Sequence, residues 1–189
     1  MTRFQLHVRD WSACTRCSLS ERRTRVVLGR GSLPCDVLFV GEAPGTSEDS
    51  LGQPFKGPAG KVLDSIIGSS LPEGTRVAMT NLVGCIPLDE QNDKTAEPED
   101  ESVRACSPRL VEFADMASPR LIVCVGKLAT HWLNTTMTRD TIRLKQDVRK
   151  VDIVHPAAIL RANPAARGIM AKRCVVTIRN AVRDVMGAS

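Results

Sequence analysis

A three-layer α/β/α fold around a central four-stranded parallel sheet is predicted by three observations on this 189-residue chain. Four short apolar segments read as strands buried on both faces, helical patterns lie between them, and the unusual residues gather just past the strand ends. The strands are DVLFV (36–40), RVAMT (76–80), RLIVCV (120–125) and KVDIV (150–154). Strand alternating with helix is the pattern of a parallel sheet covered on both sides. GKVLDSIIGSS (60–70) has apolar residues at 62, 63, 66 and 67, the stripe of a helix laid on a sheet. SPRLVEFADM opens on Ser107 and Pro108, an N-cap and first-turn pair, so Cys106 is expected immediately ahead of that helix. KLATHWL (127–133) is a short helix, and MAKRCVVTIRNAVRDVM (170–186) is a long closing one with a basic outer face.

The length suits one domain over 1–189, with residues 1–30 as an N-terminal arm and 86–105 as an acidic excursion. Net charge is +5, yet seven of the 21 acids (Asp89, Glu90, Asp93, Glu97, Glu99, Asp100, Glu101) crowd into one stretch beside only Lys94. The rest of the chain is therefore strongly basic, which suits a polyanionic partner such as nucleic acid. MTRFQLHVRDW carries charges where a secretory signal needs an apolar run, and LIVCV is the longest apolar run elsewhere. A cytoplasmic protein with no membrane attachment is expected.

Seven cysteines, an odd number, in a reducing compartment do not suggest a disulfide framework. Cys14 and Cys17 form C-x2-C in the polar run ACTRCSLSERR, where thiols have no core to fill; Cys85 and Cys106 follow at long range. Four thiolates from three segments can clip the arm to the body around tetrahedral zinc or a [4Fe-4S] cluster, and spacing alone does not choose between them. Cys35, Cys124 and Cys174 lie in apolar patterns and are small core residues.

Ligands of parallel sheets bind beyond the carboxyl ends of the strands. After the first strand stands GEAPG, with Gly41, Glu42 and Ala43; after the second, Asn81; after the third, Gly126; after the fourth, His155 and Pro156. A carboxylate, a carboxamide and an imidazole should share one rim. LGQPFKGPAG places Phe55 in a glycine and proline loop, either a stacking platform for a base or a lid on the core. His7 has no comparable context, and His131 belongs to packing or surface.

Taken together, CTRC, VGEAPGTSED, GQPFKGPAG, TNLVGCIP, the cysteine at 106 and HPAAILR resemble the iron-sulfur, family 4 uracil-DNA glycosylases from Cys14 to the final helix. The resemblance implies a [4Fe-4S] cluster on Cys14, Cys17, Cys85 and Cys106, and hydrolysis of the N-glycosidic bond of uracil flipped out of DNA. It places Glu42 near the sugar and attacking water, the Gly41–Gly45 loop against the base, Glu48 near C5 and Phe55 in a stack on the pyrimidine. Asn81 suits uracil chemically, because a carboxamide accepts from N3–H while donating to O4, and cytosine offers the reverse pattern. The resemblance also aims His155 at O2, and puts Ile159, Leu160 and Arg161 in the gap left by the flipped nucleotide.

The expected partner is uracil-containing DNA, single- or double-stranded, and the expected state is a monomer. Ala43 departs from the better-known branch of these enzymes, which has an aspartate there, and the segment between Cys85 and Cys106 is longer and more acidic than is usual. No histidine lies in that segment, which argues against covalent trapping on product. Two other functions stay open on sequence: the same fold acting on 5-hydroxymethyluracil or a deaminated purine, and a non-catalytic nucleic-acid-binding module with a four-cysteine metal site.

Overall fold

A computed structural model describes residues 1–89, 91, 94–135 and 148–187; Glu90 and Asp93 of the acidic stretch lie outside the described residues. Among the described residues one sheet has five strands, in the order β1-β3-β2-β4-β5. They are β1 (Arg30–Gly31), β2 (Val37–Gly41), β3 (Val77–Asn81), β4 (Leu121–Val125) and β5 (Arg149–Ile153). The four expected strands are mutually parallel, while β1 pairs antiparallel with β3, Arg30 opposite Met79. The sheet is therefore mixed and not the purely parallel one expected. A two-residue edge piece is too short to show any alternation, so nothing in the sequence announces it.

Period-two alternation sends the two faces of each strand into separate cores. Leu38, Val40, Ala78, Ile122 and Cys124 point to one side, and Val37, Phe39, Met79, Leu121, Val123 and Ile153 to the other. The first core is covered by α1 (Arg3–Trp11), α4 (Asp100–Ala117) and α5 (Lys127–Thr135), through residues such as Phe4, Phe113 and Trp132. The second is covered by α3 (Pro58–Ser70), α6 (Pro156–Arg161) and α7 (Pro164–Met186), through Leu63, Ile159 and Ile178. A six-residue α2 (Thr46–Leu51) follows β2. Cys35, Cys124 and Cys174 are buried as expected, and burial pushes the Cys35 and Cys124 thiols up to about 12. No helix among the described residues is long and apolar enough to cross a membrane.

The start of α4 differs from expectation. Glu99 is its N-cap, Asp100 and Glu101 occupy its first turn, where carboxylates oppose the positive end of the helix dipole, and Pro108 lies inside it. Ser107 caps nothing; its hydroxyl donates to the Val103 carbonyl at 2.9 Å. Cys106 therefore rides within the helix. Burial of Val103, Leu110, Phe113, Ala114 and Ala117 along one face outweighs the local penalty of an interior proline.

The arm is ordered by α1. Thr2 and Gln5 form a reciprocal cap at its start, and its inner face presents Phe4, His7 and Trp11. Trp11 donates to Glu112 Oε2 at 2.6 Å, and the buried His7 places Nδ1 at 3.0 Å from the same oxygen. His7 is thus a packing residue, and His131 is exposed on α5.

Candidate active site

Two glycines at the ends of β2 and β4 bring the predicted side chains together. A Cβ on Gly41 would stand 2.5 Å from Asn81 Oδ1 and 2.6 Å from the Phe55 ring. A Cβ on Gly126, whose φ is +100°, would stand 2.2 Å from Glu42 Oε1 and 3.2 Å from His155 Cδ2. Gly41 and Glu42 are consecutive, so all four groups gather around the end of the central strand. The missing side chains make this approach possible. Gly126→Ala should strain the backbone and push Glu42 and His155 apart; a fall of at least about tenfold in the single-turnover rate, with DNA affinity held within about twofold, is the expected result.

Burial pushes the Glu42 carboxyl up from its ordinary value, while the Leu128 backbone N–H, in the first turn of α5, donates to it and pulls the other way. Glu97 of the acidic stretch raises it further, and Arg161 lowers it. His155 is N-cap to α6, and its Nδ1 accepts from the Ala157 N–H at 3.2 Å. The proton of the neutral ring therefore sits on Nε2, leaving a donor for a ligand. Burial and the charge of Arg161 both lower the His155 pKa, and Glu48 opposes them. A neutral imidazole with Nε2–H is the form present at neutral pH.

Phe55 is 7% exposed and adopts a left-handed φ of 55°, rare for an aromatic residue. It is held from below: Arg30, on β1, donates from Nε to the Pro54 carbonyl at 2.8 Å and from Nη2 to the Phe55 carbonyl at 3.2 Å. The ring belongs both to the second core, as the lid expectation has it, and to the Gly41 contact. Glu48 spends both carboxylate oxygens on backbone: Oε2 accepts from Gly45 at 3.1 Å, and Oε1 from Lys56 at 2.8 Å and Gly57 at 2.6 Å. It thereby ties the Gly41–Gly45 loop to the Phe55 loop. Ala43 is half-buried against the first core.

Asn81 closes β3 with 2% exposure, and no described residue hydrogen-bonds its carboxamide. The three residues of the expected wedge differ in burial: Ile159 is 3% exposed and packs into the second core, whereas Leu160 is half-buried and Arg161 exposed. One turn of helix turns the first apolar residue inward and the next two outward.

Cys14, Cys17, Cys85 and Cys106 line one small hollow, together with Trp11, Arg16 and Arg109. This hollow lies at the arm and not at the β2 rim. Burial pushes the Cys85 thiol up to about 12; Arg23 opposes this, and the charges of Cys106, Cys17 and Cys14 add to it. Four thiolates so placed repel one another unless a cation lies between them. Among the described residues no three His, Cys, Asp or Glu side chains are arranged to hold a single metal ion. Cys106 Sγ accepts from the Gly84 N–H at 3.4 Å and from Arg109 Nε at 3.2 Å. Gly126, Arg30, Leu128, Glu97 and Arg109 are the contributors that strand-end reasoning did not assign; only Gly126 carried a signal, its place after a strand.

The chain is similar in sequence to known proteins. The family model described as the Uracil DNA glycosylase superfamily matches residues 28–179. The Type-4 uracil-DNA glycosylase of Archaeoglobus fulgidus is 33% identical over 166 residues, covering 81% of this chain and 81% of its own. Those of Sulfurisphaera tokodaii and Pyrobaculum aerophilum are each 36% identical, covering 84% and 82% of this chain and 76% and 83% of theirs.

Proposed function

Because the chain belongs to the uracil DNA glycosylase superfamily, we propose that it removes uracil from DNA by hydrolysing the N-glycosidic bond, at the rim where β2, β3 and β5 end. The observation that carries this is the pairing of Glu42 and His155 across Gly126, one residue from the Gly41 contact with Asn81 and Phe55. A uracil rotated out of the helix stacks on Phe55. Asn81 Oδ1 accepts from N3–H and its amide nitrogen donates to O4. As the bond from C1′ to N1 breaks, the electron pair leaves with the base, and His155 Nε2–H donates to O2 of the developing anion. The Glu42 carboxylate faces the positive sugar; water adds to C1′, and its proton passes to that carboxylate. Glu48 braces the loop wall beside C5, and that rigidity is what excludes a 5-methyl group. Arg161 meets the phosphates and Leu160 the vacated stack, in DNA bound by a monomer.

Cys14, Cys17, Cys85 and Cys106 would hold the [4Fe-4S] cluster, supported by the shared hollow and the N–H donors on Cys106. Glycosidic hydrolysis moves no electrons, so the cluster contributes position alone.

Incubation with duplexes carrying uracil, 5-hydroxymethyluracil, hypoxanthine or xanthine tests the reading. Uracil should be released fastest; a higher rate on 5-hydroxymethyluracil would replace the substrate. Protein purified without oxygen should contain about four iron and four sulfide per chain.

Glu42→Gln gives a two-sided expectation. The folded pKa of Glu42 is raised above 4.5, so its contribution to stability is present below that value and is lost as pH rises through the folded pKa. At neutral pH the variant should therefore unfold at a higher temperature than the parent, a difference that fades in acid. Its rate should fall about 10²-fold, and the acid limb of the parent's pH profile, lying above 4.5, should disappear.

A further inference from the structure

Arg109 is fully buried, and every one of its hydrogen-bonding nitrogens is engaged. Nη1 donates to the Leu28 carbonyl and to the Thr80 hydroxyl, each at 3.0 Å; Nη2 donates to the Asn81 carbonyl and, at 3.1 Å, to the Leu82 carbonyl. Nε donates to Cys106 Sγ at 3.2 Å. Thr80 in turn donates to the Leu28 carbonyl at 2.7 Å. One side chain of α4 thus grips β3 on both sides of Asn81 and touches the cysteine hollow with its remaining donor.

We propose that Arg109 is the positioning residue for base recognition: it fixes the backbone from which the Asn81 carboxamide projects and ties that backbone to the cysteine hollow. This rests on the reading that Asn81 recognises the base. The physical argument has two parts. A carboxamide discriminates uracil from cytosine only if its oxygen and nitrogen cannot trade places or drift. With no described residue hydrogen-bonding the Asn81 side chain, its orientation depends on its backbone and on the close approach of Gly41. Moreover, the fully buried guanidinium divides its donors between β3 and the sulfur of Cys106, so a displacement of that sulfur is transmitted to the Asn81 carbonyl.

The test compares the full chain with Arg109→Met and Arg109→Lys. Inhibition constants of free uracil and free cytosine are measured against release of uracil from a single-stranded oligonucleotide. The temperature is one at which circular dichroism shows each protein folded. Arg109→Met keeps the stem and removes the guanidinium's bonds to the Asn81 and Leu82 carbonyls, so uracil should bind at least about tenfold more weakly and its advantage over cytosine should shrink in step. Arg109→Lys, with a charge but no fork, should fall between the two. A role in the scaffold alone would lower the unfolding temperature and leave both inhibition constants unchanged. Folded Arg109→Met with parental constants overturns the proposal, and so does failure of both variants to fold, since the residue would then belong to the scaffold only. If the unsubstituted chain releases no uracil, it is the functional reading that fails, and the two failures are told apart.

Discussion

Replacing His155 with alanine should lower the single-turnover rate of uracil release by about 10²–10³-fold while the protein stays folded. The step asks the ring for one thing, a preorganised donor where negative charge appears. Nδ1 is occupied by the Ala157 N–H, so the donor is Nε2–H, and the N-cap position fixes the ring against α6 without solvent rearrangement. Because burial and Arg161 lower the pKa from its ordinary value, against Glu48, the ring is neutral at neutral pH. His155→Gln offers a partial comparison: its amide can donate but lacks the same anchor, and it should recover part of the lost rate. Binding of free uracil should change far less than the rate, because the anion forms only as the bond breaks. Equal losses in binding and rate would move His155 from charge stabilisation to ground-state contact.

The second large effect concerns Asn81→Asp. An ionised carboxylate only accepts, so it loses the donor to O4 and places negative charge against that oxygen. Uracil excision should drop by about 10²–10⁴-fold. Cytosine presents an amino donor at the same place, so the ratio of uracil to cytosine excision should collapse. Parallel assays on oligonucleotides differing only in that base would show it. An unchanged ratio would mean that the base is read elsewhere on the rim.

The parts of the fold visible in the sequence are those where burial writes a local pattern. β2 and β4 are buried on both faces throughout, so VLFVG and LIVCV stand out as apolar runs. The start of α4 is hidden because Asp100, Glu101 and Arg104 are polar and Pro108 reads as a boundary, whereas its buried stripe closes only against α1 and the sheet. α1 does leave a trace, Phe4, His7 and Trp11 recurring at helical spacing, though the charged residues between them obscure it. The gathering of Glu42, Asn81 and His155 is legible because parallel strands deliver their last residues to one edge. The inward turn of Ile159 is not, since a short apolar and basic segment does not say which side faces the core. The Arg109 grip was also invisible, because its partners at Leu28, Thr80, Asn81 and Cys106 are distant in sequence and meet only through the packing of α4 on β3.

The two tryptophans occupy unlike surroundings: Trp132 is sealed in the first core, whereas Trp11 lines the cysteine hollow under the Arg16 guanidinium, 4.5 Å from its ring centre. An iron chromophore among those cysteines would quench the indole that lines the hollow, Trp11, more than Trp132, which does not line it. Emission intensity becomes an optical gauge of cofactor loading, readable without any oligonucleotide, and a Trp11→Phe variant should lose most of that response.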